Sequence, residues 1–427
     1  MAALLPGCSW SMMVEERKMI VKKSRTLSPA MTFILMFGMV SLFSDMTHEG
    51  AASMRGAYLS FLGASAATIG FVSGLGELVG YAMRYVFGTL TDKTGKYWPM
   101  VIGGYVLDIL AVPALALVGE HGWVAASALL IVQRMGKAIK KSAKDTIMSF
   151  AASREGAGKS FAIQEVLDQI GAFLGPVLLF AVMSAKSGLP KAELYSAAFA
   201  VLAVPGAMTL ILLLATKRKF PNPEEFEGGK TVYEPMKLKW SFKIYMAGIS
   251  LFAFGFMDYA LILMHVTKHM GLYGGLITTR TLPLIYAGAM LVDAASALIF
   301  GNLFDKKGVG ALVIATVVAA PFAILVFYAK SLPVLLIGVA LWGVGMGAQE
   351  SVLKAAVATM VDKSARATGY GLFECSFGIF WFAGSWLLGA LYDVNLSMMI
   401  ALSVVAQLTA APLFYLAGKA MEPSTKG

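Results

Sequence analysis

Apolar residues in this chain do not alternate with polar ones at a strand or helix period. They run on in blocks of about twenty, the length an α-helix needs to cross a hydrocarbon core of roughly 30 Å. Twelve such blocks predict twelve helices, at 29–60, 66–90, 98–119, 122–139, 159–183, 192–215, 243–267, 274–303, 309–329, 332–353, 367–391 and 396–418. Most are separated by short polar turns. The one long polar stretch, at 217–242 and containing P-N-P-E-E-F-E-G-G, falls between the sixth and the seventh. The expected organisation is therefore a polar tail (1–28), a six-helix bundle (29–216), a linker (217–242), a second six-helix bundle (243–418) and a short tail (419–427).

The two bundles carry a repeated motif. Phe87 to Lys96 reads F-G-T-L-T-D-K-T-G-K, and Phe300 to Gly308 reads F-G-N-L-F-D-K-K-G, an offset of 213 residues. Each copy closes an apolar helix with a short charged turn. Internal repeats with a site between the halves are the pattern of secondary transporters. The stretch Gly88 to Lys96 resembles the loop signature G-x-L-x-D-[RK]-x-G-[RK] of the major facilitator superfamily; the second copy is looser, with Val309 where a base is usual. The resemblance implies an all-α membrane protein with twelve transmembrane helices in two pseudo-symmetric six-helix halves. It does not specify a substrate.

Composition agrees. The chain is 58% hydrophobic and 14% charged, with mean hydropathy +0.72, too apolar for a soluble protein of 427 residues. Two cysteines, Cys8 and Cys375, and four histidines give no disulfide framework and no metal-ligand cluster, so no cofactor is expected. The net charge of +10 could suggest nucleic acid, but its distribution argues for topology. With the N-terminus cytoplasmic, only Lys186, Lys191, Lys268 and Lys330 fall on the far side, four arginines lie within helices, and every other base is cytoplasmic. That is the positive-inside pattern, with both termini cytoplasmic and no nucleic-acid partner. No apolar core precedes Cys8, so neither a cleaved signal peptide nor a lipoprotein box is expected. Gly156-Ala157-Gly158-Lys159-Ser160 resembles part of a phosphate loop, but it has Ser153 where a glycine is needed and follows a helix. The pairs Gly70/Gly74, Gly76/Gly80, Gly171/Gly175 and Gly343/Gly347 place small residues on one stripe of helices 2, 5 and 10, where backbones can approach closely.

Charges at bilayer depth are costly and mark a partner or a watery cavity. Ten carboxylates fall within the helices: Asp45, Glu49, Glu77, Asp108, Glu165, Asp168, Asp258, Asp293, Glu350 and Glu374. Four arginines face them, Arg55, Arg84, Arg134 and Arg280, with His48 and His265 as titratable additions. The surplus acids must be protonated, hydrated or matched to a cationic solute. Asp45 and Asp258 share the 213-residue offset and lie at similar depth in helices 1 and 7; Glu165 and Glu374 form a second, looser pair on helices 5 and 11. Ser41, Asp45, His48, Ala52 and Arg55 form one stripe on helix 1, with Glu49 beside it, and this stripe is expected to face a cavity. Gln164, Glu165 and Asp168 cluster on helix 5. Glu77 and Arg84, seven residues apart, are too far along the axis for a direct pair.

The resemblance implies that helices 1, 4, 7 and 10 line the central cavity, which makes Asp45, Arg134, Asp258, Gln349 and Glu350 its leading residues. It also implies a conformational gate at Gly88, Asp92, Lys93, Gly95, Lys96, Gly301, Asp305, Lys306 and Gly308, in which Asp92 and Asp305 brace their helices near the N-termini of helices 11 and 5. Lys137, Lys140, Lys141 and Lys144 are expected on the cytoplasmic surface after helix 4. The sequence reads as a monomeric, multi-pass carrier in the cell membrane that moves a small solute by alternating access with protons as the coupling ion. The alternatives are a uniporter of a cationic solute and a non-transporting receptor or scaffold. Nothing in the chain supplies an enzyme's nucleophile or cofactor motif.

Overall fold

The structure, a computed structural model, describes residues 27–155, 157–226, 239–361 and 366–421. Among them it is all-helical, with twelve long helices or helix pairs. The first six are α1 (Pro29–Phe61), α2 (Ala66–Thr94), α3 (Tyr97–Ala114), α4 (Trp123–Glu155), α5 (Ala157–Ala185) and α6 (Lys191–Val201 continued by Ala203–Lys219). The second six are α7 (Trp240–Gly255, then Tyr259–Lys268), α8 (Leu282–Lys307), α9 (Gly310–Ala319, then Phe322–Phe327), α10 (Leu332–Ala348 and Lys354–Met360, joined by a π turn at Gln349–Leu353), α11 (Arg366–Val394) and α12 (Leu396–Lys419).

Local chemistry sets the ends. Ser28 caps α1 by accepting the Met31 N–H at 2.9 Å, with Pro29 at the first helical position, where a missing N–H costs nothing. Gly95 ends α2 in the left-handed region (φ 61°), donating its N–H to Thr91 O at 2.8 Å. Gly308 ends α8 at φ 53°. The two repeated loop glycines thus share a role: each turns the chain sharply after a long apolar helix.

Eleven of the helices are long and apolar enough to cross a membrane by composition. The exception is α4, and it departs most from the expected boundaries. It continues past residue 139 to Glu155, because Ala138, Ala143, Ile147, Met148 and Ala151 keep an apolar face through the basic stretch. Lys140 and Lys144, expected on the surface, are buried inside the bundle at 5% and 8% exposure. Snorkelling explains how: the long aliphatic stems of lysine pack while the ammonium groups reach buried partners.

Small residues set the close crossings. A Cβ at Gly171 or Gly175 would overlap the carbonyls of Leu42 and Met46, so α5 lies directly on α1. Gly70 and Gly74 admit Ser385 and Phe382 of α11 to α2, and Gly343 and Gly347 admit α8 to α10. Gly80 faces open space and plays no such part. Gly56 of α1 lies against the Ala260 carbonyl of α7, where the two halves meet.

The apolar core is divided unevenly. One cluster runs through both halves, joining Met54, Tyr58, Leu62 and Ile69 to Met257, Tyr259, Leu263 and Leu388. A second cluster, with Phe33, Phe37, Trp98, Tyr105, Ile147 and Leu213, belongs to the first six helices alone and lies toward the end where α1 begins. The halves therefore share a core at the end remote from the start of α1; at the other end the first half has its own cluster, while second-half residues such as Phe300, Val309 and Met360 continue the shared one.

Candidate functional site

Helix 7 is broken in the middle of the bundle. Gly255 ends its first segment, Phe256 and Asp258 are extended (ψ 122° and 140°), and Tyr259 begins the second. A break at this depth frees carbonyls that lipid cannot satisfy, and two of them are met by side chains of neighbouring helices. Gly255 O accepts Ser403 Oγ at 2.7 Å and Gln407 Nε2 at 3.3 Å, and Met257 O accepts Trp342 Nε1 at 2.9 Å. Asp258 caps the second segment, accepting the Ala260 N–H at 2.8 Å. The same carboxylate accepts Arg55 Nη2 of α1 at 3.1 and 3.3 Å. Asp258 is 7% and Arg55 9% exposed, so this is a buried ion pair between the halves.

Two further polar links cross from one half to the other. Arg84 of α2 reaches Glu374 of α11 at 3.3 Å, its guanidinium 4.8 Å from the Tyr81 ring centre. Tyr286 of α8 donates its hydroxyl to Glu49 of α1 at 2.5 Å, and Lys137 stands 4.0 Å from the same carboxylate. Glu77 pairs with Arg134 of α4 at 2.6 Å, within the first half. Glu77 and Arg84 are thus separate, as their spacing requires, each matched to a different helix.

The stripe on α1 does not look into open space. Ser41, Ser44 and His48 are nearly fully buried and face α3 and α4. His48 Nε2 lies 2.7 Å from Asp108 Oδ2, and Gln133 Nε2 lies 2.6 Å from His48 Nδ1. With Gln133 donating to Nδ1, the imidazole proton sits on Nε2 and is given to Asp108. Lys140 also bonds to Asp108, and reaches Ser44 Oγ at 2.9 Å while standing over the Tyr105 ring at 4.0 Å. Lys144 donates to Ser41 Oγ at 2.6 Å and lies 3.8 Å from Asp168. This network was not legible from the spacing of acids and arginines, because the bases that complete it are helix-4 lysines. The signal that could have found it is the continued apolar period beyond residue 139.

The expected site residues therefore divide. Asp45 is half-buried and makes no direct hydrogen bond or ion pair among the described residues; Asp168, Lys144, Lys137 and Lys140 are the charges that act on it. Asp258 shares its helix position but not its surroundings. Glu165 is exposed and accepts Gln169 Nε2 at 3.2 Å, whereas Glu374 holds Arg84, so the second symmetric pair is not brought together. Gln349 and Glu350 open the π turn of α10, a geometry that recurs at functional positions. Of the gate, Gly88 packs 3.2 Å (as a built Cβ) from Ser142 Oγ, and Lys93, Lys96, Asp305 and Lys306 are exposed. The side chain of Asp92, and those at Lys159 and Ala367 near its expected brace, lie outside the described residues.

Comparison with known proteins fits this architecture. A sequence profile of the Major Facilitator Superfamily matches residues 26–308. An uncharacterised protein of Mycobacterium tuberculosis is 34% identical over 398 residues, 92% of this chain and 94% of its own. An uncharacterised MFS-type transporter of Methanocaldococcus jannaschii is 28% identical over 377 residues, covering 86% and 89%. Among solved structures, the fold is similar to a bacterial homologue of the human lysosomal transporter Spinster in an inward-facing conformation (TM-score 0.66, 14% identity, 92% of this chain and 98% of that one). It is likewise similar to the nucleoside transporter NupG (TM-score 0.68, 13% identity, 92% and 100%). With its twelve-helix fold, its charged groups held between two bundles and its profile match over most of its length, the chain belongs to the major facilitator superfamily of membrane transporters.

Proposed function

We propose that this protein is a secondary active transporter that moves a small solute by alternating access, coupled to protons. The halves that rock against each other are 29–216 and 243–418, joined by 217–242, with both termini on the cytoplasmic side of the cell membrane and the chain working as a monomer. The observation that carries the reading is that buried and half-buried charges pair across the halves. Arg55–Asp258 and Arg84–Glu374 hold α1 to α7 and α2 to α11, and Glu49–Tyr286 holds α1 to α8. Such links break when the halves separate, and a proton placed on a carboxylate releases its arginine without leaving a buried anion. The shared core at the end remote from the termini, with a cluster of the first half alone at the other, supports a conformation open toward the cytoplasm. The loop residues Gly88 to Lys96 and Gly301 to Gly308 would then form the gate that closes that end.

Asp45 is a carboxylate free to exchange a proton, since among the described residues no base holds it directly. The test is transport in proteoliposomes, with candidate metabolites and drugs chosen by thermal-shift binding and internal pH followed by a trapped dye. Solute entry should carry protons with it. Asp45→Asn, which imitates the protonated acid, should abolish gradient-driven accumulation while leaving solute counterflow. The surplus of acids also favours a second reading, uniport of a cationic solute; accumulation that is indifferent to a collapsed proton gradient would establish that one instead.

A further inference from the structure

Asp293, on α8, is a buried carboxylate that no base holds among the described residues. It lies about 17 Å along α8 from Leu282, by the 1.5 Å rise, and hence deep in the membrane. It is 3% exposed, and its Oδ1 is buried without a hydrogen-bond donor. Elsewhere the structure supplies bases: Lys140 and His48 to Asp108, Arg55 to Asp258, Arg134 to Glu77 and Arg84 to Glu374. Among the described residues, the ionisable groups that act on Asp293 from neighbouring elements are acids: Glu350 of the α10 π turn, Glu49 of α1 and Glu165 of α5. Tyr286, on α8 itself, directs its hydroxyl to Glu49. The part of α9 that packs beside it, Gly310–Ala319, has no ionisable residue.

The packing gives a second, independent indication. A Cβ at Gly347 of α10 would overlap the Asp293 carbonyl and stand 2.9 Å from Oδ1, so α10 presses its backbone onto the acid. Two residues later α10 leaves α-geometry for the π turn, and Gln349 Oε1 there is also buried without a partner. The turn brings Glu350, which is exposed, alongside the enclosed Asp293. An enclosed acid, an exposed acid next to it and an adaptable helix turn between them make a path from water to a buried acceptor. Among the described residues no group of three metal-ligating side chains is present, which favours a proton over a metal ion as occupant.

We propose that Asp293 is a proton-binding site of the second half, supplied through Glu350, and that it holds its proton in the conformation described. An anion enclosed among acids and apolar helices would be too costly; the neutral acid is not. Ionisation requires α8 and α10 to part at Gly347 and admit water, so the proton fixes the packing of these two helices. The site rests on the proton-coupled reading but is distinct from Asp45.

The experiment needs no solute. Spin labels at Arg218→Cys and Lys307→Cys, in a background lacking Cys8 and Cys375, report the separation of the halves in lipid nanodiscs at mildly acidic and mildly alkaline pH. Wild type should shift its distance distribution between the two. Asp293→Asn should lose that shift and stay at the acidic distribution at both, and it should fold normally because it imitates the neutral form. Asp293→Asn responding to pH as wild type does would overturn the assignment, even where Asp45→Asn abolishes the response and so upholds coupling. A wild type that ignores pH altogether would sink both the site and the coupled reading.

Discussion

The Arg55–Asp258 pair offers a quantitative test of how the halves are held. Its side chains are 10% and 8% exposed, both carboxylate oxygens lie within 3.3 Å of one guanidinium nitrogen, and Asp258 also caps Ala260. Removing one partner of a buried pair costs about 3–5 kcal/mol, mostly because the other charge is stranded. A lost cap adds about 1 kcal/mol. Asp258→Ala should therefore destabilise by about 4–6 kcal/mol. Asp258→Asn keeps an oxygen for the cap and should fall about 1 kcal/mol short of that. Arg55→Met should cost least of the three, since Arg134 also acts on the remaining carboxylate. The double variant Arg55→Met/Asp258→Asn strands no charge, so it should recover about 2–3 kcal/mol relative to additivity, on the order of 100-fold in the unfolding constant. Reversible unfolding in mixed detergent–SDS micelles measures all four members of the cycle. Single variants within about 0.5 kcal/mol of wild type, with an additive double, would refute the claim that this pair holds the halves together.

The remaining tests are shorter. Lys140→Met should cost about 3 kcal/mol by leaving the fully buried Asp108 with His48 alone, while Lys140→Met/Asp108→Leu should cost less than the single change in the same unfolding assay. Gly347→Ala should lose about 1–3 kcal/mol because its methyl meets the Asp293 carbonyl; Gly80→Ala, with nothing within 4 Å, should gain about 0.5–1 kcal/mol. On intact cells an impermeant thiol reagent should label a cysteine at exposed His121 and spare one at exposed Lys217; the reverse result would invert the expected orientation.

Much of the fold was legible in the sequence, and the reason is the bilayer. A lipid environment demands that backbone groups be satisfied within each segment, so a block of about twenty apolar residues can only be a helix, whatever its neighbours. The repeated loop motif, the expected close contacts at Gly171/Gly175 and Gly343/Gly347, and the separation of Glu77 from Arg84 follow from periods and spacings along one helix. None of these requires knowledge of what lies opposite.

Which charge meets which was decided only by tertiary structure. Asp45 and Asp258 occupy equivalent places in the repeat, yet among the described residues one has no direct partner and the other holds Arg55, because helix 7, unlike helix 1, breaks at that depth and presents its carboxylate at the interface. Lys140 and Lys144 looked like topology signals; a helix-4 core that continues to Glu155 carries them inside, to Asp108 and Asp168. Asp293 differs from the other acids not in its type or its depth but in that, among the described residues, the charges acting on it are all acids. An intramembrane charge interacts over a few ångströms with groups hundreds of residues away in the chain. Its chemistry is therefore fixed by which helix faces pack together, and a linear pattern of residues does not contain that information.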